Sequence, residues 1–163
     1  MPRPTLLQHP TAQIVADTIS PTGHRATTYL VGLWAPVTPE ILRHRTFSFS
    51  WASLRAIPFP KIVEMLLAKP IAGPTYWALN QKGMVGGPEA ENVEDLERAW
   101  VRAFHSAVDA SKPFHHLHKN IPSRLLYPFI QMRGLVSGTD WDNFFALRTA
   151  PDADPAIHKL AWL

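Results

Sequence analysis

Sixteen prolines spread through 163 residues set the tightest limit on what this chain can become. Each removes a backbone donor, ends or kinks a helix, and is tolerated in a sheet only at edges and bulges. Long uninterrupted elements are therefore excluded, and the chain divides into short ones with no internal repeat and no low-complexity linker. With 46% hydrophobic residues and six tryptophans, such a chain has enough apolar surface for one packed domain. The apolar runs are broken by Pro, Arg or Lys well below the length of a bilayer span. Met1-Pro2-Arg3-Pro4 is not followed by a secretory apolar core, so a soluble, cytoplasmic protein without membrane partners is expected.

Between the prolines, residue type and spacing indicate the elements. Thr27 to Trp34 is rich in β-branched and aromatic residues and reads as a strand. Thr38-Pro39-Glu40 has the pattern of a helix start, carrying Ile41 and Leu42 into Arg43. A loop is expected from Thr46 to Pro60, then an amphipathic helix from Lys61 to Lys69 stopped by Pro70. The clearest periodicity runs from Val93 to Ala110, with Val93, Leu96, Trp100, Phe104, Ala107 and Val108 on one face. Asn92 is the expected cap, and Glu94, Asp95 and Glu97 lie at the positive end of the dipole. Ser123 to Val136 reads as helical, kinked or split by Pro128. Thr139-Asp140-Trp141-Asp142 starts a helix carrying Asn143, Phe144, Phe145, Leu147 and Arg148, and Asp154-Pro155 starts the last. The sum is an α+β fold in a single domain, with helices packed around a small, mainly antiparallel sheet, and with 1–18 as a loosely ordered N-terminal segment.

The chain has no cysteine, which removes disulfides, cysteine zinc sites and thiol nucleophiles. A net charge of +3 suits phosphorylated ligands as well as nucleic acid, but no basic helix face or like-charge block favours nucleic acid. The densest polar group is Arg43-His44-Arg45 with Ser48, Ser50, Ser53 and Arg55. Guanidiniums held together repel unless phosphates or carboxylates lie between them; the alternative is a solvated basic loop. His115-His116-Leu117-His118 lacks the spacing and acidic partner of a zinc helix, so no metal is expected. Gly83 to Pro88 lacks the ending of a phosphate loop and reads as a turn, while Trp77, Trp100 and Trp141 read as core. Asp140 and Asp142 are helix-start residues before they are an acid and base pair, and His24-Arg25 either lines the site or follows a surface turn.

Arg43-His44-Arg45, followed by seven residues and then Ser53, resembles the signature of the flavin-dependent thymidylate synthases. HRTFSFSWASLRAIP (44–58), Tyr76-Trp77 with Asn80-Gln81-Lys82-Gly83-Met84, HKNIPSRLLYPF (118–129) and TDWDNFFALR (139–148) are similar to the phage and actinobacterial branch. The resemblance covers Ile19 to Ala161 and implies a thymidylate synthase-complementing protein-like fold. It also implies FAD held by Arg43, His44, Arg45 and Asn143, with Thr28 in a looser alignment. The substrate, dUMP or a related deoxypyrimidine nucleotide, would meet Ser53, Arg55, Arg124 and Arg148, with Glu40 ranked below them. Ser53 and Arg148 would be the catalytic pair, Arg148 lying against the pyrimidine. NADPH would reduce FAD and methylenetetrahydrofolate would supply the carbon, without an enzyme nucleophile. A homo-oligomer, a tetramer in this family, would share its sites between subunits; a phage-encoded member would act in host cytoplasm. Trp51, Ser50, Tyr127 and Ile121 depart from residues common among relatives, and the chain stops at Leu163 where relatives continue. An impaired or shortened member, one hydroxymethylating its nucleotide, or a non-enzymatic nucleotide or nucleic-acid binder are the alternatives.

Overall fold

The computed structural model describes residues 6–82 and 85–163. The Met1-Pro2-Arg3-Pro4 opening, and Gly83 and Met84 of the expected turn and motif, lie outside the described residues. Four strands, β1 (Thr11–Ile19), β2 (Arg25–Trp34), β3 (Ser48–Trp51) and β4 (Gln131–Gly138), form one antiparallel sheet in the order β1-β2-β4-β3. Around it lie α1 (Thr38–Ile41), α2 (Phe59–Leu67), α3 (Val93–Ser111), α4 (Asn120–Leu125), α5 (Asp142–Arg148) and α6 (Pro155–Ala161). The architecture is α+β, as expected. None of the described helices is long and apolar enough to cross a membrane.

The prolines act as anticipated. Pro39, Pro60, Pro122 and Pro155 all fall in the opening turn of a helix, where their missing N–H has no intrahelical acceptor to lose. The longest helix, α3, occupies the longest proline-free stretch, 89–112. Asp154 caps α6, its Oδ1 accepting from Ala156 N at 2.9 Å and Ile157 N at 3.3 Å. Asn92 makes no such side-chain cap on α3, so the first-turn acids Glu94 and Asp95 are left to complement that end.

Four expectations fail for identifiable reasons. Ser123 to Val136 is not a split helix: α4 ends at Leu125, a 3-10 turn spans Tyr127–Phe129, and Gln131 to Gly138 is the strand β4. A continuous apolar run does not distinguish helix from buried strand, and pairing with β2 decides it. The loop expected from Thr46 to Pro60 contains β3 and a 3-10 turn at Leu54–Ala56. The helix expected from Lys61, α2, begins at Phe59, two residues earlier, because a proline at the second position suits a first turn. Residues 11–18, expected as part of a loose N-terminal segment, belong to β1, whose register shifts between Ile14 and Ala16. The β1–β2 turn contains Gly23 at φ 87°, a left-handed backbone that favours glycine.

The two sheet faces differ. Val31, Leu33 and Val136 point toward Ile41, Phe47, Phe144, Ile157 and Leu160, forming a core beneath α1, α5 and α6. Leu33 and Ile157 are fully buried there. Thr28, Leu30, Leu135, Ser137, Ser48 and Ser50 share the opposite face by register, and Leu135 on it is 40% exposed. Two further apolar clusters seat α2 against Leu126 and Ile130, and α3 against Phe129 and Ile71.

The hairpin edge is held by charge. Arg25 donates to Asp17 through Nε (2.9 Å) and Nη2 (2.5 Å), and Thr27 Oγ1 donates to Oδ1 at 2.9 Å. These bonds, Arg25 foremost, hold the Asp17 carboxyl down to about 2. A depressed folded-state value means the contribution is full above the ordinary carboxylate range and is lost as pH falls through about 2. Amide-exchange protection of β1 is expected to fall across that window in the native protein. Asp17→Asn should lower protection above that window and abolish the acid dependence.

Candidate functional site

The polar residues singled out in the sequence fall into two groups at opposite ends of β3. At one end, β3 stops at Trp51, Ala52 N donates to Arg133 O at 2.8 Å, and Ser53 begins the 3-10 turn. Ser53 Oγ accepts from Arg55 N at 3.3 Å, so its own hydroxyl proton remains available to a ligand. Arg124 on α4 is brought to the same place. Ser53, Arg55 and Arg124 line a cleft of about 270 Å³ together with Asn120, Tyr127 and Met132. Three of the five residues expected to contact the nucleotide thus meet, from two separate segments, while Arg148 and Glu40 lie outside this cleft.

Neither Arg55 nor Arg124 forms an ion pair among the described residues, and both are exposed. Two unpaired guanidiniums facing one cleft favour an anion between them, with a phosphate as the geometrically matched choice. The sequence reading missed Asn120, which lies one turn from Arg124 on the same face of α4. Its signal was the i, i+4 spacing, hidden because the helix was started at Ser123. Tyr127 closes the cleft wall and donates its hydroxyl to Ala35 O at 3.2 Å, which fixes the ring. A second hollow of about 390 Å³ continues from this cleft, sharing Ser53, Leu54 and Met132 and reaching Met65, Lys69 and Arg133.

At the other end of β3, Arg148 Nε donates to His44 Nε2 at 2.7 Å. His44 is buried, with Phe47 stacked at 5.9 Å and Phe144 edge-on at 5.0 Å. Burial, then the nearby Arg148 charge, push its pKa below the ordinary 6.5. The imidazole is therefore neutral at pH 7, with Nε2 as acceptor and the proton on Nδ1. Because folding lowers this value, stability is full above about 6.5 and declines as pH falls through the folded-state value.

The remaining candidates make contacts of their own or none. Arg43 pairs with Glu40 at 2.9 Å, which neutralises both partners. Thr28 and Ser137 share a hydroxyl bond of 2.8 Å across β2 and β4. Arg45 and Asn143 are exposed, and Arg45 makes no ion pair among the described residues. As donors, Arg45 and Asn143 fit the diphosphate of FAD; His44 does not fit as a donor through Nε2, which already accepts from Arg148. His115 and His118 use Nδ1 on local backbone, at Lys112 O (2.7 Å) and Asn120 N (3.4 Å).

The two groups are well separated within one chain. Met132 lines the cleft, whereas Phe47, which stacks on His44, lies against Gly138. Six strand residues separate Met132 from Gly138, a distance of about 20 Å at ~3.3 Å per residue. Arg148 is not among the residues lining the cleft.

No family model and no curated protein sequence matches the chain. Solved structures do. A UMP/dUMP methylase, PolB from Streptomyces cacaoi, bound with 5-Br UMP, superposes with a TM-score of 0.75 at 17% identity, covering 99% of this chain and 89% of that one. The same methylase bound with 5-Br dUMP gives a TM-score of 0.67 at 14% identity, covering 97% and 88%. At these identities the likeness is one of fold.

The position of Ser53 depends on how closely β3 approaches β4. A side chain at Gly134 would collide with the Trp51 indole, two residues before Ser53. Gly134→Ala is expected to cost about 1–3 kcal/mol by overpacking. It should also displace Ser53 enough to weaken phosphate binding in the cleft, both effects being read by denaturant titration and phosphate calorimetry.

Proposed function

We propose that this chain binds a uridine-type mononucleotide, dUMP by the sequence resemblance, and methylates its pyrimidine ring by the flavin-dependent route. The observation that carries this reading is the meeting of Ser53, Arg55 and Arg124 around one cleft, with no carboxylate paired to either arginine among the described residues. These are the positions the resemblance assigns to the nucleotide, and their chemistry suits its phosphate. The PolB structures, bound with 5-Br UMP and 5-Br dUMP, agree with such a ligand on this fold.

The chain has no cysteine, so no thiol attacks the ring. Arg148 instead offers positive charge to the pyrimidine, stabilising negative charge as it develops there. Ser53, Arg55 and Arg124 orient the nucleotide through its phosphate, and Arg45 and Asn143 would hold FAD by its anionic part. When bound and reduced by NADPH, FAD would supply hydride to complete a methyl group whose carbon comes from methylenetetrahydrofolate.

The separation of Arg148 from the phosphate cleft supports a homo-oligomer, a tetramer by resemblance, in which one copy contributes the cleft and another contributes Arg148. The open sheet face, with Leu30 and Leu135 on it, is apolar surface such an assembly would cover. This arrangement predicts complementation. Arg124→Ala should weaken dUMP binding at least about tenfold, as expected for a lost charge-assisted contact. Its melting should stay near wild type, since an exposed substitution changes stability by only about 0.5 kcal/mol. Arg148→Ala should lose tritium release from 5-tritiated dUMP by orders of magnitude. Mixing the two variants under exchange conditions should restore turnover, because some sites then hold both arginines. Normal dUMP binding in Arg124→Ala counts against the cleft assignment; an absence of recovery in the mixture counts against shared sites.

A further inference from the structure

The contact between His44 and Arg148 joins residues 104 positions apart, made at Nε2 of a ring that also packs against Phe47 and Phe144. A guanidinium has two edges able to make paired hydrogen bonds: one contains Nε, the other the two terminal nitrogens. Here the Nε–H is committed to His44 at 2.7 Å, and Arg148 makes no ion pair among the described residues. Only the edge formed by the terminal nitrogens is left complete for a ligand.

The imidazole that sets this orientation is itself fixed. His44 N donates to Ile41 O at 3.1 Å and its carbonyl accepts from Phe47 N at 3.2 Å, so the backbone turns tightly after α1. Phe47 and Phe144, 7% and 4% exposed, pack against the ring, one stacked at 5.9 Å and one edge-on at 5.0 Å. Of the charged groups around it, Arg148 on α5 faces the ring directly, while Glu40 and Arg43 on its own segment pair with each other at 2.9 Å. The aromatic residues against the ring carry no charge.

We propose that His44 is a positioning residue: a buried neutral acceptor that clamps Arg148 by Nε and presents its terminal nitrogens to the pyrimidine. This rests on the proposed role of Arg148 at the nucleotide and assigns His44 a task other than holding flavin. The clamp also carries a condition. An imidazolium has no acceptor at Nε2 and repels a guanidinium, so protonation releases Arg148.

The test compares His44→Gln, which keeps an acceptor and cannot protonate in this range, with His44→Leu, which keeps bulk without one. In wild type, kcat for tritium release should fall on the acid side through a pKa below 6.5. His44→Gln should retain kcat within about tenfold and lose that acid limb. His44→Leu should lose kcat about as far as Arg148→Ala, roughly a hundredfold or more, and the double variant should be no worse than either. An acid limb unchanged in His44→Gln, or full activity in His44→Leu beside an inactive Arg148→Ala, overturns the inference and leaves the proposed function standing. Full activity in Arg148→Ala overturns the functional reading of Arg148 itself. A spectroscopic arm needs neither turnover nor the leucine variant: the Arg148 Nε–H nitrogen resonance, assigned by its loss in Arg148→Lys, should move as His44 protonates and stay fixed in His44→Gln. An Arg148 signal indifferent to pH in the wild-type protein also overturns the clamp.

Discussion

The antiparallel pairing of β2 with β4 is the interaction on which the other elements of this molecule depend. It places Leu33 and Val136 at the centre of the sheet, where both are essentially removed from water, and leaves β1 and β3 as edges. Full burial of such side chains contributes about 1.5–3 kcal/mol each, which no helix here of four to seven residues could match by its own propensity. α1, α5 and α6 exist as helices because this sheet face gives their apolar sides something to cover. The short helices permitted by the prolines are therefore stable only in this context.

The same pairing acts as a ruler for the polar groups. β3 docks on β4 over four residues, with Trp51 against Gly134 at one end and Phe47 against Gly138 at the other. Each glycine lets an aromatic ring approach the sheet where a side chain would block it. Ser53 follows the Trp51 end and His44 precedes the Phe47 end, so one strand separates the cleft of Ser53, Arg55 and Arg124 from the His44–Arg148 contact. Residues that lie within thirteen positions of sequence, from Arg43 to Arg55, thus face different surroundings. A basic loop with all its charges converging on one ligand would carry stronger mutual repulsion, and this arrangement lowers it by distance.

The cleft illustrates how separate pieces acquire a common chemistry. Leu54–Ala56 supplies Arg55, α4 supplies Asn120 and Arg124, and the turn after α4 supplies Tyr127. The Tyr127 hydroxyl is bound to the backbone at Ala35, which holds the ring in the cleft wall. A carboxylate at that place would offset the two guanidiniums, whereas a hydroxyl committed to a backbone carbonyl does not.

What the sequence determined by itself is what acts over a few residues. Pro39 and Pro155 mark helix starts because a proline N–H is not needed there, Asp154 caps α6 through its own carboxylate, and the spacing from Val93 to Val108 requires one apolar face on α3. The β-branched run of β2 and the crowding of Arg43, Ser53 and Arg55 were equally legible, since residue type alone carries that information. Tertiary structure decided the rest. Gln131 to Gly138 became a strand because β2 offered a ladder, and 11–18 became ordered because β2 had a second open edge. Arg124 joined Ser53, and Arg148 met His44, through contacts between segments whose separation along the chain gives no local signal. Those outcomes depend on which distant surfaces bury each other, and burial is a property of the folded whole that no short window of sequence contains.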